Sequence, residues 1–395
     1  MNKSLTIIGG WLGHETGNTL PQGCPALTVL DGNLGSLIVD CDNSFHVVSI
    51  TGGPGSKVAL SRVTIINGKA KASAAPCNGV FLPGVLDPRN CGAGIYIKSR
   101  STVSLSELIL QENSCIGLGA GLYANGCSLS IAQAVMRTNT AKDTPDGGGS
   151  AMYLNCPVAR IANTVVLGNG LNTARGGGLY AAGGDMEFTN CVFTENHADT
   201  GSGSAVYLEG AVYARFFNCT LSHNFPPLTG AESIDMSTLA GECLLMNTIV
   251  FTNNSTVPHF VAPAVVGKFQ SASCYLQIIP GQPGPSADFS AIGYPTIYFP
   301  AAPPAAPVQV LFVPGGLSLD PQTGVEVRTK GDPALVPADI LDIDQDGNTT
   351  EQVWMDRERG LRFSPQAGGA TTVSMGAYEI PYTGLLYYLS VPCSP

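Results

Sequence analysis

Charged residues make up only 12% of this 395-residue chain, and bases are the scarcer kind, 19 Lys and Arg against 29 Asp and Glu. A net charge of −10 leaves no clustered basic surface to displace counterions from a phosphate backbone, so no nucleic-acid partner is expected. Also missing is an apolar run of about 18 residues, so no transmembrane segment is expected. Met1-Asn2-Lys3-Ser4 leads straight into the strand-like SLTIIGG rather than a secretory core; an export signal was either removed or never preceded it. Good helix formers are sparse, whereas 48 Gly and 28 Pro with many Ser, Thr and Asn suit tight turns and strands. Almost no α-helix is expected.

No Cys-x-x-Cys motif occurs among the 12 cysteines. An even, scattered set fits disulfides in an oxidising compartment better than a zinc site, which points to an extracellular or cell-surface location. Cys77 and Cys91 bracket the Pro/Gly-rich PCNGVFLPGVLDPRNC and form one candidate pair; Cys24 and Cys41 form a second. The competing reading is that most are buried thiols, because cysteine is among the most buried residue types.

What the chain does contain is a sentence repeated. GAGIY, GAGLY, GSAMY, GGGLY and GSAVY end at Tyr96, Tyr123, Tyr153, Tyr180 and Tyr207, in steps of 27, 30, 27 and 27 residues. Asn113, Asn139, Asn169, Asn196, Asn224 and Asn253 follow in the same cadence, with Gly68 in the equivalent earlier place. Six residues before each lies a second polar series, Glu107, Gln133, Asn163, Asn190, Asn218 and Asn247. In DMEFTNCVFTEN, Met186 and Phe188 share one strand parity and Cys191 and Phe193 the other, so the apolar set stays inside only if the chain bends at Asn190.

Each repeat therefore reads as one coil of three short strands with corners at the glycines and at two Asn positions. Coils stacked about 4.8 Å apart pair every strand in parallel with its copy, giving a single-stranded, right-handed parallel β-helix with about 27 residues per coil. Asn tolerates the left-handed region and can stack amide on amide, so Asn163, Asn190, Asn218 and Asn247 are expected to form a ladder. Leu110, Met136, Val166, Phe193, Leu221 and Val250 should form an inward apolar column, and Arg160, Glu187 and Arg215 an outward ladder of alternating charge. Cys191 and Cys219 superpose inside. The tyrosines are either an outward stripe for sugar rings or part of the core.

The chain divides into N-terminal coils (1–57), regular repeats (58–255), a Pro/Gly-rich excursion (256–316) and closing coils with a tail (317–395). The leading SLTIIGGW…TVLDGN, the repeats and the tail GDPALV…DIDQDGNTTEQ…DRERGLRF…SMGAYE together resemble bacterial choice-of-anchor Q β-helix proteins, and the repeats are similar to those of chlamydial polymorphic outer-membrane proteins. The tail runs Asp356-Arg-Glu-Arg-Gly360-Leu-Arg362 and then Val373-Ser374-Met375-Gly376-Ala377-Tyr378-Glu379, with one longer spacing and Ser374 in place of the family's usual Asp. The resemblance implies an extracytoplasmic β-helix with a pectin lyase-like fold and carries no catalytic residues with it.

Three groups could carry chemistry. Asp342, Asp344 and Asp346 with Gly347 and Asn348 place carboxylates at the first, third and fifth positions of a calcium-type loop. Val353 stands at the twelfth position, so Glu351 or Asp356 would have to supply the remaining ligand; a plain Asp/Gly turn is the alternative. Superposing coils brings Glu195 beside His223 with His197 nearby, one acid and two imidazoles, which a solvated polar face explains equally well. Asp143 and Asp146 lie in a Gly-rich turn of the longest coil.

Two functional classes follow. One is a secreted or surface-displayed structural β-helix for adhesion or glycan contact, without a reaction of its own; the other is a polysaccharide lyase or glycoside hydrolase working in a groove along the coils. Head-to-tail self-association, with the apolar tail GLLYYLSV covering the next molecule's open edge, is a further alternative.

Overall fold

A computed structural model describes residues 4–11, 25–35, 43–71, 88–142, 147–170, 173, 175–225, 233–236, 238–251, 260–261, 269–278, 297–300, 331–343, 346–353, 356, 363–365 and 371–377. The chain is a parallel β-helix. Among the described residues, one sheet of 15 strands, one of 10 and a short one of three run along the axis, and all their strand pairs are parallel.

The repeats fall in register as their spacing requires. Tyr96, Tyr123, Tyr153, Tyr180 and Tyr207 are Cα partners in turn, as are Arg160, Glu187 and Arg215. The column Leu110, Met136, Val166, Phe193, Leu221, Val250 is paired coil on coil and no member is more than 1% exposed. Phe188 stacks on Phe216 at 4.7 Å between ring centres, and Phe193 meets Phe188 edge-on at 5.9 Å, filling the lumen where the coils carry most aromatics. In two coils the first two strands fuse into one, Met152–Ala162 and Leu179–Thr189, so the expected glycine corner there is a register shift near Asn155 rather than a turn.

Both polar series mark corners, but they do different work. Arg62, Glu107, Gln133, Asn163, Asn190, Asn218, Asn247 and Ser273 all have φ between 48° and 57°. At the second corner the left-handed residue is the one before the Asn: Glu112, Thr138, Gly168, Glu195 and His223. That leaves the following Asn side chain turned inward, and Asn113, Asn139, Asn169, Asn196 and Asn224 are all buried.

The expected ladder is therefore corrected. Nδ2 of Asn113 donates to Oδ1 of Asn139, and the same bond repeats from Asn139 to Asn169, Asn169 to Asn196 and Asn196 to Asn224, at 2.9–3.0 Å. Backbone N–H groups of Asn113, Asn139, Asn169 and Asn196 donate to the same oxygens. Gly121 shows how the coil makes room, since a Cβ there would lie 2.6 Å from the Ala151 carbonyl and 3.1 Å from Cγ of Asn139. Asn163, Asn190, Asn218 and Asn247 are superposed as expected, yet Oδ1 of Asn163 and of Asn218 is buried without a partner, and the Asn218 and Asn247 amides turn to the C-terminal chain.

That chain adds no coil within its described residues; it lies along the first-corner ridge. Asn247 grips the Asp332 backbone from both sides, donating to its carbonyl at 2.9 Å and accepting its N–H at 2.8 Å. Asn218 donates to the Ser374 carbonyl, Gln133 to that of Ile343, and the Ala377 N–H donates to Oγ1 of Thr220. Val336, Ile343, Val353 and Val373 form a small core with Ala162. Its internal pairs are antiparallel, Phe363–Pro365 with Thr371–Val373. A strap on the flank thus replaces the expected closing coils in this stretch, because its apolar residues find cover on the ridge rather than in the lumen.

Candidate functional site

The tyrosines form neither an exposed stripe nor part of the lumen. Leu122 and Ala124 face the central core, and Tyr123 between them faces the other way into a separate cluster with Cys91 and Leu118. Ring centres are 5.0–5.2 Å apart, stacked from Tyr96 through Tyr153 and edge-on from Tyr153 to Tyr207. His46 lies on the outer face of Tyr96 at 4.6 Å, and the Arg175 guanidinium sits over Tyr207 at 5.5 Å. The rings pack on one another, and none of these five tyrosines is more than 8% exposed, so sugar rings find no open aromatic face along this column. Burial pushes the Tyr96 phenol up to about 12 and those of Tyr153 and Tyr180 well beyond the ordinary range.

At the Tyr180 end stands a polar group that the sequence did not single out. The Tyr180 hydroxyl donates to Glu209 and is also hydrogen-bonded by Arg175. The one-coil spacing of 29 residues from Tyr180 to Glu209 is the signal that could have found it. A phenol held so firmly in its protonated form is a poor base; the trio reads as a closed hydrogen-bonded rim.

Glu195, His197 and His223 are brought to one corner, as expected, and two of them also shape its backbone. Glu195 and His223 are the left-handed residues of adjacent coils, and the Glu195 N–H donates to the His223 carbonyl at 3.1 Å. His223 Nδ1 is 2.6 Å from the Ser222 hydroxyl. Burial lowers its imidazole from the ordinary value, with the Glu195 carboxylate opposing. His197 stacks on Phe225 at 4.8 Å and lies 3.7 Å from the Asp199 carboxylate. The expected charge ladder is present and joined by Asp185: Arg215 reaches Asp185 at 2.6 Å and Glu187 at 3.5 Å, while Arg160 reaches them at 3.2 and 4.0 Å. Opposite charges neutralise each other within this cluster.

In the candidate calcium loop, Asp342 has φ 50° and accepts the Gly347 N–H at 3.0 Å, and Asp346 accepts the Asn348 N–H at 2.7 Å. Asp344 lies outside the described residues, as do Asp143 and Asp146. The Glu351 carboxylate accepts from the Asn348 amide at 3.1 Å, and Val353 is a buried anchor of the strap core, so the twelfth position holds the loop down rather than ligating. Carboxylate and carbonyl oxygens such as those of Asp342, Asp346 and Asn348 are the donor type a hard cation takes, and here the two carboxylates accept backbone N–H groups of their own turn. Among the described residues no cluster of three or more His, Cys, Asp or Glu is placed to hold a metal ion.

Cys24, Cys41 and Cys77 lie outside the described residues, so neither expected disulfide falls within them; Cys91 is buried beneath the tyrosine column, where Sγ accepts the Leu118 N–H. Cys191, Cys219 and Cys274 follow the first corner and donate their thiols to backbone carbonyls of their own coil and the coil before. Thr248 does the same with its hydroxyl, donating to Phe216 and Met246. At this position cysteine fills the same corner-donor role as Thr248, so Cys191, Cys219 and Cys274 are explained as buried thiols.

No family model, curated protein or solved structure matches the chain. No helix among the described residues is long and apolar enough to cross a membrane.

Proposed function

We propose that this protein is a secreted or cell-surface structural β-helix, serving adhesion or glycan contact without a reaction of its own. One observation carries the reading: the polar groups that stand in rows along the coils bind one another across coils. Arg160, Asp185, Glu187 and Arg215 form one such cluster, and Tyr180, Glu209 and Arg175 another. The resemblance of the tail to choice-of-anchor Q proteins supports the location. Its Ser374-Met375-Gly376-Ala377 motif is the part of the strap seated on Thr220, Asn218 and Asn247. Calcium bound at Asp342, Asp344, Asp346 and Asn348 would brace that strap from its exposed loop. A screen of acidic and neutral polysaccharides for binding and for unsaturated or reducing-end products tests both functional classes. Turnover abolished by Glu195→Gln or by chelation would replace the structural reading with a polysaccharide lyase or glycoside hydrolase.

Head-to-tail assembly is the second reading, favoured by the N-terminal end. Among the described residues Leu5–Ile8 is an end strand of the 15-stranded sheet and Val29–Asp31 an end strand of the 10-stranded one, and Leu5, Ile7 and Val29 are 45–54% exposed there. Such an edge offers unpaired backbone groups and apolar cover to another strand. Light scattering of the whole chain against one ending at Pro381 checks it; equal masses per particle would remove this reading.

A further inference from the structure

Cys127 and Cys156 differ from the corner cysteines. They sit in consecutive coils with Sγ atoms 3.4 Å apart, and both are buried, at 0% and 1% exposure. Their strands are locked in register on either side, Asn125 opposite Asn155 and Ser128 opposite Val158. Neighbouring stacked strands lie within the Cα separation a disulfide spans, and the sulfurs need to close by only a little over 1 Å to reach bonding distance. Where Cys191 and Cys219 donate to carbonyls, Cys127 and Cys156 have each other as hydrogen-bond partner.

The surroundings restrict what this pair can become. The next coil presses onto Cys156: a Cβ on Gly184 would lie 1.6 Å from the Cys156 carbonyl oxygen, and one on Gly183 would lie 2.9 Å from Asn155 Oδ1. Both cysteines are buried, so a lasting adduct on either sulfur would have to displace packed neighbours. A bond between the two sulfurs adds no atoms and loses two hydrogens.

We propose that Cys127 and Cys156 are an oxidative modification site, joined as an intercoil disulfide by a small-molecule disulfide before these coils close. The Cys127 thiolate attacks one sulfur of the small disulfide, releasing a small thiolate and forming a mixed disulfide. The Cys156 thiolate then attacks Cys127 Sγ, the Cys127–Cys156 bond forms, and the second small thiolate leaves. Two protein thiols are oxidised, one small disulfide is reduced to two thiols, and the two thiol protons pass to solvent and are taken up by the leaving thiolates. The proposal is independent of the functional reading above, because the linkage is a property of the coil pair in any compartment where a disulfide reagent is present during folding.

The test is to refold the urea-unfolded whole chain with oxidised and reduced glutathione or with reductant alone, trap thiols by alkylation, and map linked peptides by mass spectrometry. The Cys127 peptide should be linked to the Cys156 peptide in excess over every other pairing, and the linked form should melt several degrees above the reduced one. Cys156→Ala should refold to the same far-ultraviolet spectrum with Cys127 alkylated. If native spectra return in glutathione with both cysteines alkylated, or with Cys127 joined elsewhere, the proposal is wrong. Chain produced in an oxidising and in a reducing host compartment, mapped in the same way, gives the same decision without refolding.

Discussion

Replacing Asn169 by Ala removes a side chain with five hydrogen-bonding contacts inside the coil stack, the two Nδ2 hydrogens being shared among three acceptors. Its Nδ2 donates to the carbonyls of Met136 and Leu167 and to Oδ1 of Asn196; its Oδ1 accepts the N–H and Nδ2 of Asn139. At about 1 kcal/mol net for each bond, and more where a buried group is left unsatisfied, the loss should be about 3–5 kcal/mol. That is a large part of a stability that is typically about 5–15 kcal/mol. Asn163 gives the comparison. Its Oδ1 is already without a partner and its φ of 49° suits glycine, so Asn163→Gly removes an unsatisfied oxygen and backbone strain at the cost of chain entropy. The net change should stay within about 1 kcal/mol in either direction. Urea melts of both variants, followed by circular dichroism and by hydrogen exchange at Asn139, measure the contrast. Equal shifts, or a larger loss at Asn163 than at Asn169, would refute the assignment of the ladder to the second series.

Four further outcomes are expected. Phe193→Ala should cost about 3–5 kcal/mol in a denaturant melt, since Phe193 is fully buried against Phe188 and Phe216. Gly376→Ala places a Cβ 2.6 Å from Ile249 Cδ1 at φ 89°, so limited proteolysis should release the segment after Gly331 faster while the β-sheet signal persists. His46 and His223 both have imidazoles lowered by burial, so the unfolded chain binds their protons first as pH falls. Stability should therefore be whole above about pH 6.5 and decline below it, and His223→Asn should reduce that slope in urea melts at paired pH values. Millimolar calcium should raise the melting midpoint of the whole chain but not of Asp342→Asn; no shift in either removes the calcium reading.

The coil length, the paired columns from Leu110 to Val250, the tyrosine register and the Arg160–Glu187–Arg215 ladder were legible in the sequence, because parallel stacking sets each residue on its copy about one repeat later. A period in the chain is then a contact in space. Direction at the corners was not legible. Two Asn series share one period, and only the backbone decides which residue takes the left-handed turn and which side chain is left facing in. For the same reason the sequence did not show that Glu195 and His223 take the left-handed turn of that corner. Contacts that break the period, such as the strap from Gly331 to Ala377 on Asn218 and Asn247, leave no repeat to read. Tertiary packing alone set them, since amides and apolar corners left open by the coils bind whatever later chain can cover them.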